Sequence, residues 1–223
     1  RVPGTRIVDS NGTTIYTPPE GESIIRDKLK NLEDFMHLED TIDPLIKMAI
    51  MHYQFEAIYP FSDGNGRTGR IINILFLLEK QLLDTPVLFL SRYILKTKSS
   101  YYEGLRKITE QNLWIDWIIY MLSAIEETAI ETHEKIHKIT RATEFTKEQI
   151  KEKIPKIYGK DLIETLFKHP YCKVRFIVDA GIAKRQTAAS YLQQLEQIGL
   201  LQSIKAGRET YYINLELMQI LSQ

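Results

Sequence analysis

The chain has little cysteine, no net charge and no long apolar run. Cys172 is the single cysteine among 223 residues. It cannot form an internal disulfide or a cysteine-rich metal site, so we expect a cytoplasmic location. Its 29 basic and 29 acidic residues cancel, which argues against a surface that binds nucleic acid throughout. No apolar run reaches the roughly 18 residues that cross a membrane, so we expect no membrane partner.

The composition that is present fits a folded protein with one large core and a smaller second one. Hydrophobic residues make up 43% and charged residues 26% of the chain, which is ordinary for a globular protein. From Phe145 onward the chain has 12 Lys and Arg residues and 8 Asp and Glu residues. The preceding part has 17 basic and 21 acidic residues. We therefore predict two domains of different electrostatic character, residues 1–140 and 141–223.

Hydrophobic periodicity predicts a mainly α first domain behind a small β-hairpin. The hairpin is predicted at about residues 5–17, because β-prone runs flank Asp9-Ser10-Asn11-Gly12 and Asn-Gly favours a tight turn. Apolar residues then recur every three to four positions, as one helix face requires. The predicted helices include residues 44–58, 70–83, 99–109, 112–126 and 127–141.

A glycine-rich loop, residues 59–70, joins the two most apolar of these helices. Three glycines in six positions let the backbone approach a ligand, and amides at the start of the next helix lack intrahelical partners. Arg67 and Arg70 suit phosphate oxygens, and Asp63 suits Mg²⁺ held jointly with substrate phosphates. The loop therefore predicts an anion site; the alternative is a connection with solvated arginines.

Residues 59–70 resemble the signature of the Fic family, His-x-Phe-x-(Asp/Glu)-Gly-Asn-Gly-Arg-x-x-Arg. Every fixed position matches except the first, where Tyr59 stands in place of histidine. The resemblance extends to residues 52–58, 16–19, 90–93 and 101–102, and covers most of residues 1–125. It implies a Fic-type helical bundle in which the hairpin is a flap that aligns a target segment.

The resemblance also implies an activity, the transfer of AMP from ATP to a Ser, Thr or Tyr hydroxyl of a protein, including the chain itself. Asp63 takes the Mg²⁺ position in this scheme. The implied ATP-binding residues are the phosphate cradle Gly64, Asn65 and Gly66, the arginines Arg67 and Arg70 for the outer phosphates, the neighbouring Thr68 and Gly69, and Tyr101 in the adenine pocket. For Tyr101, burial without ligand contact is an equal alternative.

The residue at position 59 decides how much catalysis is expected. In the family, a histidine there removes the proton from the target hydroxyl as it attacks the α-phosphorus. A free tyrosine side chain, with a pKa of about 10, is mostly protonated at pH 7, whereas histidine near 6.5 is mostly a free base. Losing a general base typically costs about 10²–10⁴ in rate. Tyr59 therefore predicts an impaired enzyme, whether the tyrosine is natural or engineered.

The C-terminal part resembles a winged helix-turn-helix. We predict helices at residues 173–179 and 184–197, followed by a β-hairpin from residues 200–204 and 209–213. The candidate DNA-binding residues on the second helix and the hairpin are Lys184, Arg185, Gln186, Thr187, Ser190, Gln194, Lys205 and Arg208. A protein-interaction module is equally compatible with the modest charge. The alternative overall function is a non-catalytic nucleotide-binding regulator, and a homodimer stays open.

Overall fold

The computed structural model describes residues 2–8 and 11–222. The chain forms two compact units, Arg1–Thr132 and His133–Gln223. Helices make up most of the described residues, which confirms the predicted mainly α fold class. In the described ranges, no helix is long and apolar enough to cross a membrane. The domain boundary at residue 140 stays a prediction.

The first unit opens with the predicted hairpin. Strands β1 (Ile7–Val8) and β2 (Thr14–Tyr16) pair antiparallel, and Ile7 lies opposite Tyr16. Asp9 and Ser10 of the predicted turn lie outside the described residues. Gly12 adopts a φ of +80°, a left-handed conformation that glycine reaches without a steric penalty.

Among the described residues of the first unit, five helices follow the hairpin before the long helix that crosses the unit boundary. Asp43 caps the second helix by accepting a hydrogen bond from the Leu45 amide at 2.8 Å, and Pro44 supplies the helical φ of its first position. The helices are α1 (Glu22–His37), α2 (Pro44–Ile58), α3 (Asn65–Glu79), α4 (Ser91–Lys96) and α5 (Lys98–Gln111). Helix α2 packs between α1 and α3 and contributes Met48, Met51 and Phe55 to the core.

Helix α3 begins earlier than the sequence pattern predicts. The prediction kept the loop open to residue 70, but α3 starts at Asn65 because Gly64, with a φ of +86°, ends the loop there. Arg67 and Arg70 therefore lie on the first turns of a helix, three residues apart and on neighbouring positions of one face.

Helix α6 (Trp114–Lys153) is continuous where the sequence pattern predicts two helices, residues 112–126 and 127–141. It contains neither glycine nor proline, so nothing in its sequence interrupts the backbone hydrogen bonds. The division between the two compact units falls inside this helix.

The second unit contains the remaining helices around a small antiparallel sheet of strand order β3-β5-β4. Its elements are α7 (Lys160–Lys168), β3 (Tyr171–Cys172), α8 (Val174–Asp179), α9 (Arg185–Gln197), β4 (Leu201–Ala206), β5 (Glu209–Asn214) and α10 (Leu215–Ser222). The predicted helix pair and hairpin are thus present, close to their predicted bounds. Assignment of this unit as a winged helix stays a prediction.

Candidate active site

A cleft of about 450 Å³ opens in the first unit. The hairpin, the end of α2, the start of α3 and one side of α5 form its walls. The residues of the predicted loop that line it are Tyr59, Asp63, Gly64, Asn65, Gly66, Arg67 and Arg70. The structure therefore brings most of the predicted active-site residues to one cleft.

Residue 59 ends helix α2 in an unusual backbone conformation. Tyr59 has a φ of 50° and a ψ of 58°, and its amide donates to the Phe55 carbonyl at 3.1 Å. This left-handed conformation costs a residue with a Cβ roughly 1–2 kcal/mol, so the surrounding structure must impose it. In this conformation Tyr59 lines the cleft.

Asn65 braces the loop rather than presenting its amide to the cleft. Its side chain is 3% exposed. Its Oδ1 accepts from the Phe61 amide at 2.9 Å, and its Nδ2 donates to the Phe61 carbonyl at 2.8 Å. The first intrahelical hydrogen bond of α3 runs from the Thr68 amide to Gly64 at 2.9 Å. The amides of residues 65–67 precede that bond, which makes the helix start suitable for an anion.

Asp63 and Arg67 form an exposed ion pair at the mouth of the cleft. Arg67 Nη2 donates to Asp63 Oδ2 at 2.9 Å, and the side chains are 70% and 89% exposed. Asp63 Oδ1 accepts from the Gly64 amide at 2.7 Å. Within the described residues, no group of three His, Cys, Asp or Glu could hold a metal ion. One accessible carboxylate fits Mg²⁺ that takes its other ligands from phosphates and water.

Glu56 also lines the cleft, although the sequence analysis gave it no role. Burial raises the pKa of its carboxyl to about 7, while the nearby positive charge of Arg70 opposes that rise. The available signal was its position, since Glu56 and Lys47 are the acidic and the basic residue of an otherwise uncharged α2. Lys47 pairs with Asp40 at 3.0 Å. Helix α2 therefore supplies no partner for the charge of Glu56.

Tyr101 lies buried beneath the cleft, with 4% of its surface exposed. Its hydroxyl is 2.9 Å from His52 Nε2, and His52 Nδ1 accepts from Asn73 Nδ2 at 3.0 Å. Burial and the positive charge of Arg70 lower the pKa of His52 to about 4, and burial raises that of Tyr101 well above its ordinary value. Both side chains are therefore neutral near pH 7, and Tyr102, 55% exposed, presents the accessible ring.

The hairpin is tied by a hydrogen bond to the C-terminal end of α2. Tyr16 Oη donates to the Ala57 carbonyl at 2.7 Å, two residues before Tyr59. Ile7 and Ile15 of the two strands also line the cleft. The hairpin thus borders the site, as expected for a flap.

Thr68 and Gly69 are predicted ATP-binding residues, but they are not among the described residues that line the cleft. A methyl group at Gly69 would lie 2.8 Å from Glu56 Oε1 and 3.2 Å from the Phe55 ring. Gly69 therefore allows α3 to approach α2 closely, and its role in ATP binding stays a prediction.

The candidate DNA-binding residues lie on α9 and on the β4–β5 hairpin of the second unit. Seven of the eight are exposed, and Gln194 is half-buried, with its Nε2 donating to Ser190 Oγ at 3.1 Å. The exposed residues are Lys184, Arg185, Gln186, Thr187, Ser190, Lys205 and Arg208.

Both units match known families. Residues 4–77 match the family model described as Fic/DOC family, and residues 143–217 match the C-terminal domain of SoFic-like protein adenylyltransferases. Together the two matches cover most of the chain.

Named relatives match this chain over segments of 79 to 92 residues. Protein adenylyltransferase fic-1 of Caenorhabditis elegans is 34% identical over 92 residues, which are 40% of this chain and 17% of that protein. The probable protein adenylyltransferase aq_aa38 of Aquifex aeolicus (strain VF5) is 35% identical over 79 residues, 35% of this chain and 24% of that protein. The matched segments thus span less than a quarter of these relatives. A crystal structure of a Fic family protein from Desulfovibrio desulfuricans G20 has 21% identity and a TM-score of 0.47, covering 88% of this chain and 56% of that one.

Proposed function

Because the chain combines a Fic/DOC domain with a SoFic-like C-terminal domain, we propose that it is a protein adenylyltransferase that Tyr59 impairs. The reaction is the transfer of AMP from ATP to a protein hydroxyl. The observation that carries the proposal is the cleft lined by Tyr59, by the start of α3 with Arg67 and Arg70, and by Asp63. The names of the relatives point to the same activity.

The start of α3 would hold the ATP phosphates. The amides of residues 65–67 precede the first intrahelical hydrogen bond and favour an anion at the helix N-terminus. The guanidinium groups of Arg67 and Arg70 suit the outer phosphate oxygens. Mg²⁺ bound at Asp63 would neutralise part of the phosphate charge. Arg67 already contacts Asp63, so it would share its donors between that carboxylate and the nucleotide.

The bond changes define what residue 59 must do. The target hydroxyl oxygen forms a bond to the α-phosphorus, the bond from that phosphorus to the β-phosphate bridge breaks, and pyrophosphate leaves. The hydroxyl proton must go to a base. Tyr59 stands at that position, and a tyrosine hydroxyl accepts a proton poorly near pH 7. His52 cannot substitute, because it is wholly buried and bonded to Tyr101 and Asn73.

Labelled nucleotide tests the proposal. The chain and its Tyr59→His variant are incubated with α-labelled ATP, Mg²⁺ and a cell lysate, and label on protein is measured. We expect the variant to label itself or lysate proteins, and the parent chain to label them far less. A variant that binds ATP and labels no protein would refute the transferase activity. Parallel reactions with GTP, UTP and CDP-choline test the choice of ATP, and reactions with EDTA test the need for Mg²⁺.

A second candidate function is a nucleotide-binding regulator that acts through the second unit on DNA or a protein partner. The exposed basic and amide side chains of α9 and the β4–β5 hairpin favour it. Binding to duplex DNA that weakens steeply with salt would support this function, and loss of that binding in Lys184→Ala/Arg185→Ala would locate the surface. A homodimer and a cytoplasmic location stay predictions from the sequence.

A further inference from the structure

Glu56 is a half-buried residue with a carboxylate that the proposed reaction does not use. It lies on α2, one turn before Tyr59, and its Oε1 is buried without a hydrogen-bond partner among the described residues. A buried polar atom left unpaired costs about 1–3 kcal/mol. A carboxylate oxygen that is buried without a partner beside a cleft needs an explanation, and a function in the cleft would provide one.

Arg70 is the charged group that faces Glu56. A methyl group built at Gly66 would lie 3.1 Å from Arg70 Nη1 and 3.8 Å from Glu56 Oε1, so both side chains flank the same glycine at the start of α3. The absence of a side chain at Gly66 keeps the space between them open. Glu56 and Arg70 both line the cleft, and they form no ion pair within 4.0 Å among the described residues.

The other titratable groups near Glu56 are neutral near pH 7. His52, one turn earlier on α2, has a pKa lowered to about 4 by burial and by Arg70. Tyr101, from α5, has a pKa raised well above its ordinary value by burial and by Glu56. Tyr16, from the hairpin, donates its hydroxyl proton to Ala57. Arg70 is therefore the charged group that acts on Glu56 most directly.

We propose that Glu56 is a positioning residue for Arg70, whose guanidinium it attracts across the gap at Gly66 until nucleotide phosphates draw the guanidinium away and Glu56 takes up a proton. Two effects drive the uptake: Arg70 turns its charge toward the phosphates, and the phosphates add negative charge near the carboxylate. This rests on the proposed binding of ATP.

Calorimetry measures the proton directly. ATP with Mg²⁺ is titrated into the chain at pH 7.5 in two buffers of different ionisation enthalpy, and the difference in binding enthalpy gives the protons exchanged. The same titration is made with Glu56→Gln and, as a matched control, with Glu103→Gln, an exposed carboxylate of α5 that pairs with Lys107 at 3.0 Å. Subtracting the Glu56→Gln value removes protons exchanged by the nucleotide itself.

We expect the parent chain and Glu103→Gln to take up about half a proton more per ATP than Glu56→Gln, because the carboxyl starts with a pKa of about 7. We also expect the Kd for ATP to rise about tenfold more between pH 6.5 and 8.5 in the parent than in Glu56→Gln. Equal proton uptake in all three proteins with intact ATP binding would overturn the role of Glu56 alone. Absence of ATP binding in all three would instead refute the proposed function and this role with it.

Discussion

Replacing Glu56 with glutamine should stabilise the first unit at alkaline pH and leave it unchanged in acid. The pKa of this carboxyl is raised by burial from 4.5 to about 7 in the folded chain. Between those values the folded state binds more protons than the unfolded state, so the free energy of unfolding falls as pH rises. At about 1.4 kcal/mol per pH unit, the loss across this window is roughly 3 kcal/mol.

Urea denaturation at pH 5 and pH 8 measures this effect. Both tryptophans, Trp114 and Trp117, lie in the first unit, so their fluorescence reports on the unit that contains Glu56. We expect Glu56→Gln to gain about 2–3 kcal/mol over the parent at pH 8 relative to pH 5. Glu103→Gln, which removes an exposed carboxylate, should show no such gain. A constant difference between Glu56→Gln and the parent at both pH values would refute the reasoning.

Two further substitutions test the packing around the site. Asn65→Ala removes both hydrogen bonds to the Phe61 backbone. We expect the free energy of unfolding to fall by roughly 2–4 kcal/mol and ATP binding to weaken. An unchanged free energy of unfolding in urea denaturation, together with an unchanged Kd for ATP in calorimetry, would exclude the bracing role. Gly104→Ala places a methyl group 2.8 Å from the buried Trp117 ring. We expect the free energy of unfolding, measured by the same fluorescence, to fall by roughly 1–3 kcal/mol. A rise in that free energy would mean that the gain in helix propensity outweighs the clash.

The sequence was sufficient to single out residues 59–70, most of which line one cleft in the structure. Residues 59–70 contain glycines, a carboxylate and arginines at fixed spacing, and such local chemistry can be interpreted without coordinates. The start of α3 was placed too late because glycines at 66 and 69 lower helix propensity. In the structure those positions are helical: Gly69 lets α2 approach, and Gly66 leaves room for Arg70.

Features that depend on tertiary contacts could not be predicted in this way. The two hydrogen bonds between the Asn65 side chain and the Phe61 backbone depend on how the loop folds back on itself. The burial of Glu56 depends on how α2, α3 and α5 pack, which no local pattern encodes. The two helices predicted at residues 112–126 and 127–141 are one continuous helix, α6, whose sequence contains neither glycine nor proline.

The most direct test of the account compares ATP binding and AMP transfer in the parent chain and Tyr59→His. The Kd for ATP is measured by calorimetry, and the single-turnover rate of AMP transfer is followed with labelled ATP. We predict Kd values within about threefold of each other and a transfer rate that is about 10²–10⁴ higher in Tyr59→His. Equal transfer rates in the two proteins, or a parent chain that fails to bind ATP, would contradict the claim that binding and turnover separate at residue 59.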